Sequence, residues 1–200
     1  MSSNQQVWES HYKEARSAQS FPDENVVRYL TRFFRDTPWD QSFQTLDCGT
    51  GSGRNYSFLK TFPGKHFGCD FALNSVEGKE NHCQASIIDL PFQQNAFDIV
   101  LCWGVLHYLE PEMTKKAIDN LFRVLKPGGR LFCTVRSDED THLTKTLKEG
   151  DLAGGYARLF TKDNALSLFS DFAQRDYGFI LRQPLGQEGR IAHHMIEAKK

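Results

Sequence analysis

The chain has 200 residues, 40% of them hydrophobic and 24% charged, with a net charge of −1. That balance fits a globular fold with a real core, and it offers no basic excess for phosphates, so nucleic acid is not an expected partner. No apolar run reaches the roughly 18 residues of a membrane span, and residues 1–6 lack the charge and apolar stretch of a secretory signal, so no membrane association and a cytoplasmic location are expected.

Residues 4–17 mix charge with Val7, Trp8 and Tyr12 and read as an amphipathic helix. Trp8, Tyr12 and Arg16 fall at i, i+4 and i+8 on one face, where they would close over a ligand or dock the helix on the core. Phe21-Pro22-Asp23-Glu24 opens a second helix, with acids in its first turn, and Val26, Val27, Leu30, Phe33 and Phe34 recur at helical spacing until Thr37-Pro38. From there strands and helices alternate. Strands are predicted over 43–48, 65–70 and 85–89, with helices over 54–61 and 73–81 between them. Residues 97–103 form a nearly continuous apolar run, as in a strand buried on both faces. A helix over 111–125 stops at Lys126-Pro127-Gly128-Gly129, and a fifth strand covers 130–136. Residues 137–160 lack a period and read as a long loop or lid. A helix over 161–169 and strands over 173–182 and 190–198 follow; with no helix between them, these last strands are expected to pair as an antiparallel edge hairpin. The pattern predicts an α/β fold, a Rossmann-like, doubly wound, mostly parallel seven-stranded sheet with helices on both faces.

The five cysteines, Cys48, Cys69, Cys83, Cys102 and Cys133, include no C-x-x-C pair. They read as small buried residues in a reducing compartment, and no metal site is expected. His193 and His194 are adjacent in a predicted strand, so they point to opposite faces.

Leu46-Asp47-Cys48-Gly49-Thr50-Gly51-Ser52-Gly53-Arg54 carries the most information. An apolar strand ends in an acid, and three glycines follow at alternate positions, as a sharp strand-to-helix turn and a closely approaching ligand require. A dinucleotide fingerprint would need a glycine where Arg54 stands. Three acids, Asp47, Asp70 and Asp89, are predicted at the carboxyl ends of three successive strands, the edge where open α/β sheets bind ligands. An acid at Asp70 can accept both hydroxyls of a ribose. An acceptor at Asp89 can read the amine of adenine.

The glycine spacing, Asp89-Leu90-Pro91-Phe92, Phe97-Asp98-Ile99-Val100 and Phe122-Arg123-Val124-Leu125-Lys126-Pro127-Gly128-Gly129 together resemble class I S-adenosylmethionine-dependent methyltransferases of the small-molecule type, over residues 43–136. The resemblance implies a single domain over 1–200: capping helices over 1–40, a cofactor-binding core over 43–136, a loop or lid over 137–160, and a helix and strands over 161–200. It implies S-adenosylmethionine as cofactor, with S-adenosylhomocysteine as product and no metal. Gly49, Thr50, Gly51 and Gly53 would pass under its methionine part, Asp47 would lie near its amino group, and Asp70 would hold the ribose. Phe71 would pack on adenine, Asp89 and Leu90 would read the adenine edge, and Cys102 and Trp103 would line the methyl-transfer site.

A sulfonium is already activated, so transfer needs mainly an aligned nucleophile; a hydroxyl or ammonium acceptor also needs a base, for which His107 is the candidate. The chain lacks an Asn/Asp-Pro-Pro-aromatic signature after the fourth strand and any Pro-Cys dipeptide, which disfavours amino-methylating DNA enzymes and cytosine methylation. A small-molecule acceptor and a monomer or homodimer are expected. The alternatives are a non-catalytic methyltransferase-like binding module and a nicotinamide-dependent oxidoreductase.

Overall fold

The computed structural model describes residues 3–13, 21–38, 40–149, 152–186 and 188–200. Seven strands, β1 Gln44–Cys48, β2 Lys65–Asp70, β3 His82–Gln84, β4 Phe97–Cys102, β5 Leu125–Arg136, β6 Gln174–Arg182 and β7 Ile191–Lys199, form one sheet in the order β3-β2-β1-β4-β5-β7-β6. The first five in that order are parallel. β7 runs antiparallel to both β5 and β6, which is the edge hairpin expected from the missing crossover helix.

Alternation along β4 divides the core. Phe97, Val100 and Cys102 join one cluster with Ala117, Ile118, Leu121 and Val124 of helix α5, Pro111–Val124, while Ile99 and Leu101 join the other with Val26, Tyr29, Leu30 and Phe34 of helix α2, Glu24–Asp36. The α2 start is fixed by Asp23, whose carboxylate accepts from the Asn25 amide at 2.9 Å. Asp98 secures a strand start, accepting from the Gln44 amide at 2.8 Å and from Lys126 Nζ at 2.6 Å.

Several boundaries differ from expectation. Helix α1 is Ser3–His11, ending in a turn through Tyr12 and Lys13; Arg16 lies outside the described residues. Helix α3 is Arg54–Leu59, and α4 is only Leu73–Val76. The third strand comes earlier than predicted, at His82–Gln84, and residues 85–89 form a turn closed by the Asp89 amide donating to the Ser86 carbonyl at 2.9 Å. The stretch over 137–160 is not all loop: α6, His142–Glu149, lies within it, and Leu143 and Leu152 are buried. Helix α7, Lys162–Ser167, is capped by the Thr161 hydroxyl.

Candidate active site

Strand order reverses between β1 and β4: β1 leads to β2 and β3 on one side, β4 to β5 on the other. The carboxyl ends of β1, β2 and β4 therefore open onto a crevice. A cavity of about 450 Å³ lies there, with Cys48, Gly49, Asp70, Phe71, Ala85 to Ile88, Trp103 to Val105 and Tyr108 among its walls.

The floor is the glycine loop. The amides of Gly49 and Thr50 donate to the Cys69 carbonyl at 2.8 and 3.0 Å, which binds the loop to the end of β2. Gly49 has φ of 75° and Gly51 of 53°, left-handed values that disfavour a side chain. A Cβ on Gly49 would also collide with Val105, and one on Gly51 would stand 2.5 Å from the Tyr12 hydroxyl. Gly53 takes the N-cap position of α3 with φ of 85°.

Two buried acids face this loop. Asp70 accepts from the Gly51 amide through Oδ2 at 2.9 Å and from the Ala72 amide through Oδ1 at 3.0 Å. The Phe71 amide also donates toward this carboxylate, whose two oxygens together keep lone-pair capacity for a ligand hydroxyl. Burial raises the Asp70 pKa, against the Ala72, Gly51 and Phe71 amides and Lys79. Asp47 accepts from the Thr50 hydroxyl at 3.0 Å, and burial, with a smaller contribution from the like charge of Asp70, raises it to about 6. Lys79 reaches in from beyond α4 and donates to the Gly51 carbonyl at 3.2 Å.

The roof is α1. Glu9 accepts from the Leu73 amide at 2.7 Å and from Asn74 Nδ2 at 2.8 Å, and Gln5 donates to the Phe71 carbonyl at 3.3 Å. Latched this way, α1 brings Trp8 and Tyr12 into the cavity wall, where the Trp8 ring stacks on Tyr12 and meets Tyr108 edge-on, with centroids 5.6 and 4.9 Å apart. Leu109, Glu110, Met113 and Tyr156 complete the far end.

Not every expected residue joins this constellation. Gly49, Asp70, Phe71 and Trp103 line the cavity; Asp47, Thr50, Gly51 and Gly53 form the loop immediately behind it. Asp89 is exposed and outside the lining, because β3 ends five residues before it; the first polar side chain on the wall after β3 is Ser86. Leu90 is buried in the core, its carbonyl held by Arg123 at 2.7 Å. Cys102 points into the α5 side of the core, where burial raises its thiol far above normal. His107 does not stand at the cavity mouth. It is 1% exposed, both ring nitrogens lack hydrogen-bond partners among the described residues, and burial, then Arg136 and His193, drives its pKa well below normal. Its neighbour Tyr108 faces the cavity instead, hydrogen-bonded to Arg136, which in turn donates to Asp140 at 2.5 Å.

Residues 46–133 match the family model for a methyltransferase domain. Over these residues, and in fold, the chain is similar to S-adenosylmethionine-dependent methyltransferases. It is 33% identical over 119 residues to an uncharacterized protein of Methanocaldococcus jannaschii, covering 58% of this chain and 51% of that one. It is also 33% identical over 137 residues to a tRNA N(3)-methylcytidine methyltransferase of Drosophila melanogaster, covering 50% and 42%. The chain thus spans about half the length of these curated relatives. The Burkholderia thailandensis 1,6-didemethyltoxoflavin-N1-methyltransferase, solved with its substrate and S-adenosylhomocysteine, shares the fold at a TM-score of 0.71 and 16% identity over 99% of this chain and 86% of that one.

The donor set fits the cofactor of this family. A loop with glycine at alternate positions would take the methionine part, two buried acids would take an ammonium and a ribose, and Phe71 with Ile87 would flank a purine. Sequence reasoning missed Glu9, Lys79, Ser86 and Tyr156. Ser86 was within reach had the third strand been placed earlier, but His82-Cys83-Gln84 offers no apolar run to mark it. Among the described residues no cluster of His, Cys, Asp or Glu could hold a metal, and no helix is long and apolar enough to cross a membrane.

Proposed function

We propose that the chain moves a methyl group from S-adenosylmethionine to a small acceptor enclosed beneath α1. The observation that carries this reading is the continuity of one cavity, from the Gly49, Asp70, Phe71 and Ser86 end to a wall of Trp8, Trp103, Tyr108, Met113 and Tyr156. In this reading Gly49, Thr50, Gly51 and Gly53 pass under the methionine part, Asp47 receives the ammonium and Asp70 the ribose. Phe71 packs on the adenine, and Ser86 takes the adenine-edge role first expected of Asp89. The bound sulfonium supplies an activated methyl group.

What remains for the protein is positioning. The aromatic wall excludes water and holds the acceptor in line with the S–CH₃ bond, which is where most of the rate gain of such a reaction comes from. His107 serves no proton transfer in this scheme, because it is buried behind Tyr108 and stays neutral. Glu110, at the rim, is the carboxylate facing the acceptor end. The site therefore suits an acceptor that is already nucleophilic or that loses its proton toward the rim.

A tRNA acceptor is the second reading, favoured by the similarity to the Drosophila tRNA enzyme and opposed by the net charge of −1. Incubation with labelled S-adenosylmethionine and either a low-molecular-weight metabolite fraction or total tRNA separates the two. Label transfer to the metabolite fraction supports the proposal; transfer to tRNA alone replaces it with the second reading.

A further inference from the structure

β6 closes the sheet on one side, and among the described residues no strand pairs with its outer edge. Natural edge strands are blunted by shortness, bulges, proline, charged side chains or a covering element. β6 is nine residues long, pairs with β7 in unbroken register and contains no lysine or proline; its charges, Arg175, Asp176 and Arg182, are of both signs and so can pair with a second copy. It also carries an apolar row on one face, Tyr177, Phe179 and Leu181, exposed by 37%, 37% and 50%. That edge is a ready template for another strand, and the sequence of β6 specifies which.

We propose that β6 is a self-association surface, with two copies pairing antiparallel about a twofold axis that sets Phe179 of one copy opposite Phe179 of the second. In that register Tyr177 meets Leu181 of the second copy on the apolar face. On the other face Asp176 meets Arg182, twice by symmetry, and Gly178 meets Ile180. A twofold interface must be complementary to itself, and directly opposed aromatic, apolar and opposite-charge pairs are the contacts that stabilise antiparallel strands. Neighbouring registers lack this match. With Gly178 on the axis, Asp176 falls opposite Ile180; with Ile180 on the axis, Arg182 falls opposite Gly178. A slip by one residue sets Arg175 against Arg182 and turns the apolar row to the wrong face. In the single chain Arg182 reaches Asp23 only at 3.8 Å and is 44% exposed, so it is available to the second copy.

A charge-swap experiment tests the register. Asp176→Arg places arginine against arginine, and Arg182→Asp places aspartate against aspartate; each single variant should lower self-association by about tenfold or more. Mixing the two single variants restores both opposite-charge pairs, so the mixture should form a heterodimer that neither variant forms alone. Sedimentation across a concentration series, with cofactor affinity and thermal melting as controls for folding, reads the result. Neither residue belongs to the cavity wall, so S-adenosylhomocysteine binding should not change. A wild-type protein that stays monomeric at every concentration overturns the proposal, as does a dimer that both single swaps leave intact or a mixture that shows no heterodimer.

Discussion

The Tyr12 hydroxyl stands directly above Gly51, 2.5 Å from the point that a side chain on that glycine would occupy. The roof of the cavity thus rests on its floor at a position where only hydrogen fits. Gly51→Ala would face both that contact and a φ of 53°, a conformation costing roughly 1–2 kcal/mol for a residue with a Cβ. The variant should fold with a lowered melting temperature and bind S-adenosylhomocysteine at least tenfold more weakly. Calorimetry showing wild-type affinity would mean that the loop and α1 do not frame the cofactor.

Glu9 is the latch of that roof. Its carboxylate serves the Leu73 and Asn74 amides and the Asn74 side chain, all near the surface. Discounted for solvent, these bonds should contribute on the order of 1–2 kcal/mol. Glu9→Ala should therefore release α1, raising hydrogen exchange in residues 3–11 and weakening cofactor binding about tenfold with little change in melting temperature. Unchanged exchange would show that aromatic packing of Trp8 alone holds the helix.

Asp47 sets a pH dependence. Its folded pKa of about 6 lies above the ordinary carboxylate value, chiefly through burial. The folded state then binds more protons than the unfolded state between about pH 4 and 6, so this residue's contribution to stability falls as pH rises through that window. At pH 7 the carboxylate is ionised and costly, and it is in the form that attracts an ammonium. Asp47→Asn should melt at a higher temperature than wild type at pH 7 yet bind cofactor more weakly. Wild-type affinity should fall below pH 6, and the variant should lack that limb. A variant that melts lower and keeps the limb would assign the titration elsewhere.

His107 should behave as packing. Because both ring nitrogens are buried without partners among the described residues, each carries a desolvation cost of about 1–3 kcal/mol. His107→Leu should hold or raise the melting temperature, and the pH–rate profile should show no histidine limb near 6.5. A turnover loss with a shifted profile would restore the histidine to the chemistry.

The parallel core and the glycine loop were legible in the sequence because each rests on local signals: apolar runs for buried strands, and glycines where φ is positive. The edge hairpin followed from the absence of a crossover helix. Asp89 misled because an acid before Leu90-Pro91 looks like a strand end, whereas pairing of Cys83 with Cys69 ends β3 earlier and gives the wall to Ser86. His107 misled because a 3₁₀ turn, Leu106–Tyr108, with about three residues per turn, buries both Leu106 and His107 and leaves Tyr108 to the cavity, and no local pattern marks which residue of such a turn meets the cavity. The Glu9 latch spans 64 residues of sequence to Leu73, and only tertiary structure could reveal it.

The most direct test of the account is calorimetric titration of wild type and Asp70→Asn with S-adenosylhomocysteine and with NAD. Asp70 accepts from the Gly51 and Ala72 amides and faces the cavity, so losing its charge should weaken S-adenosylhomocysteine binding by about 2–3 kcal/mol, roughly 30- to 150-fold. NAD should not bind either protein. Binding of NAD without S-adenosylhomocysteine, or equal S-adenosylhomocysteine affinity in both proteins, would contradict it.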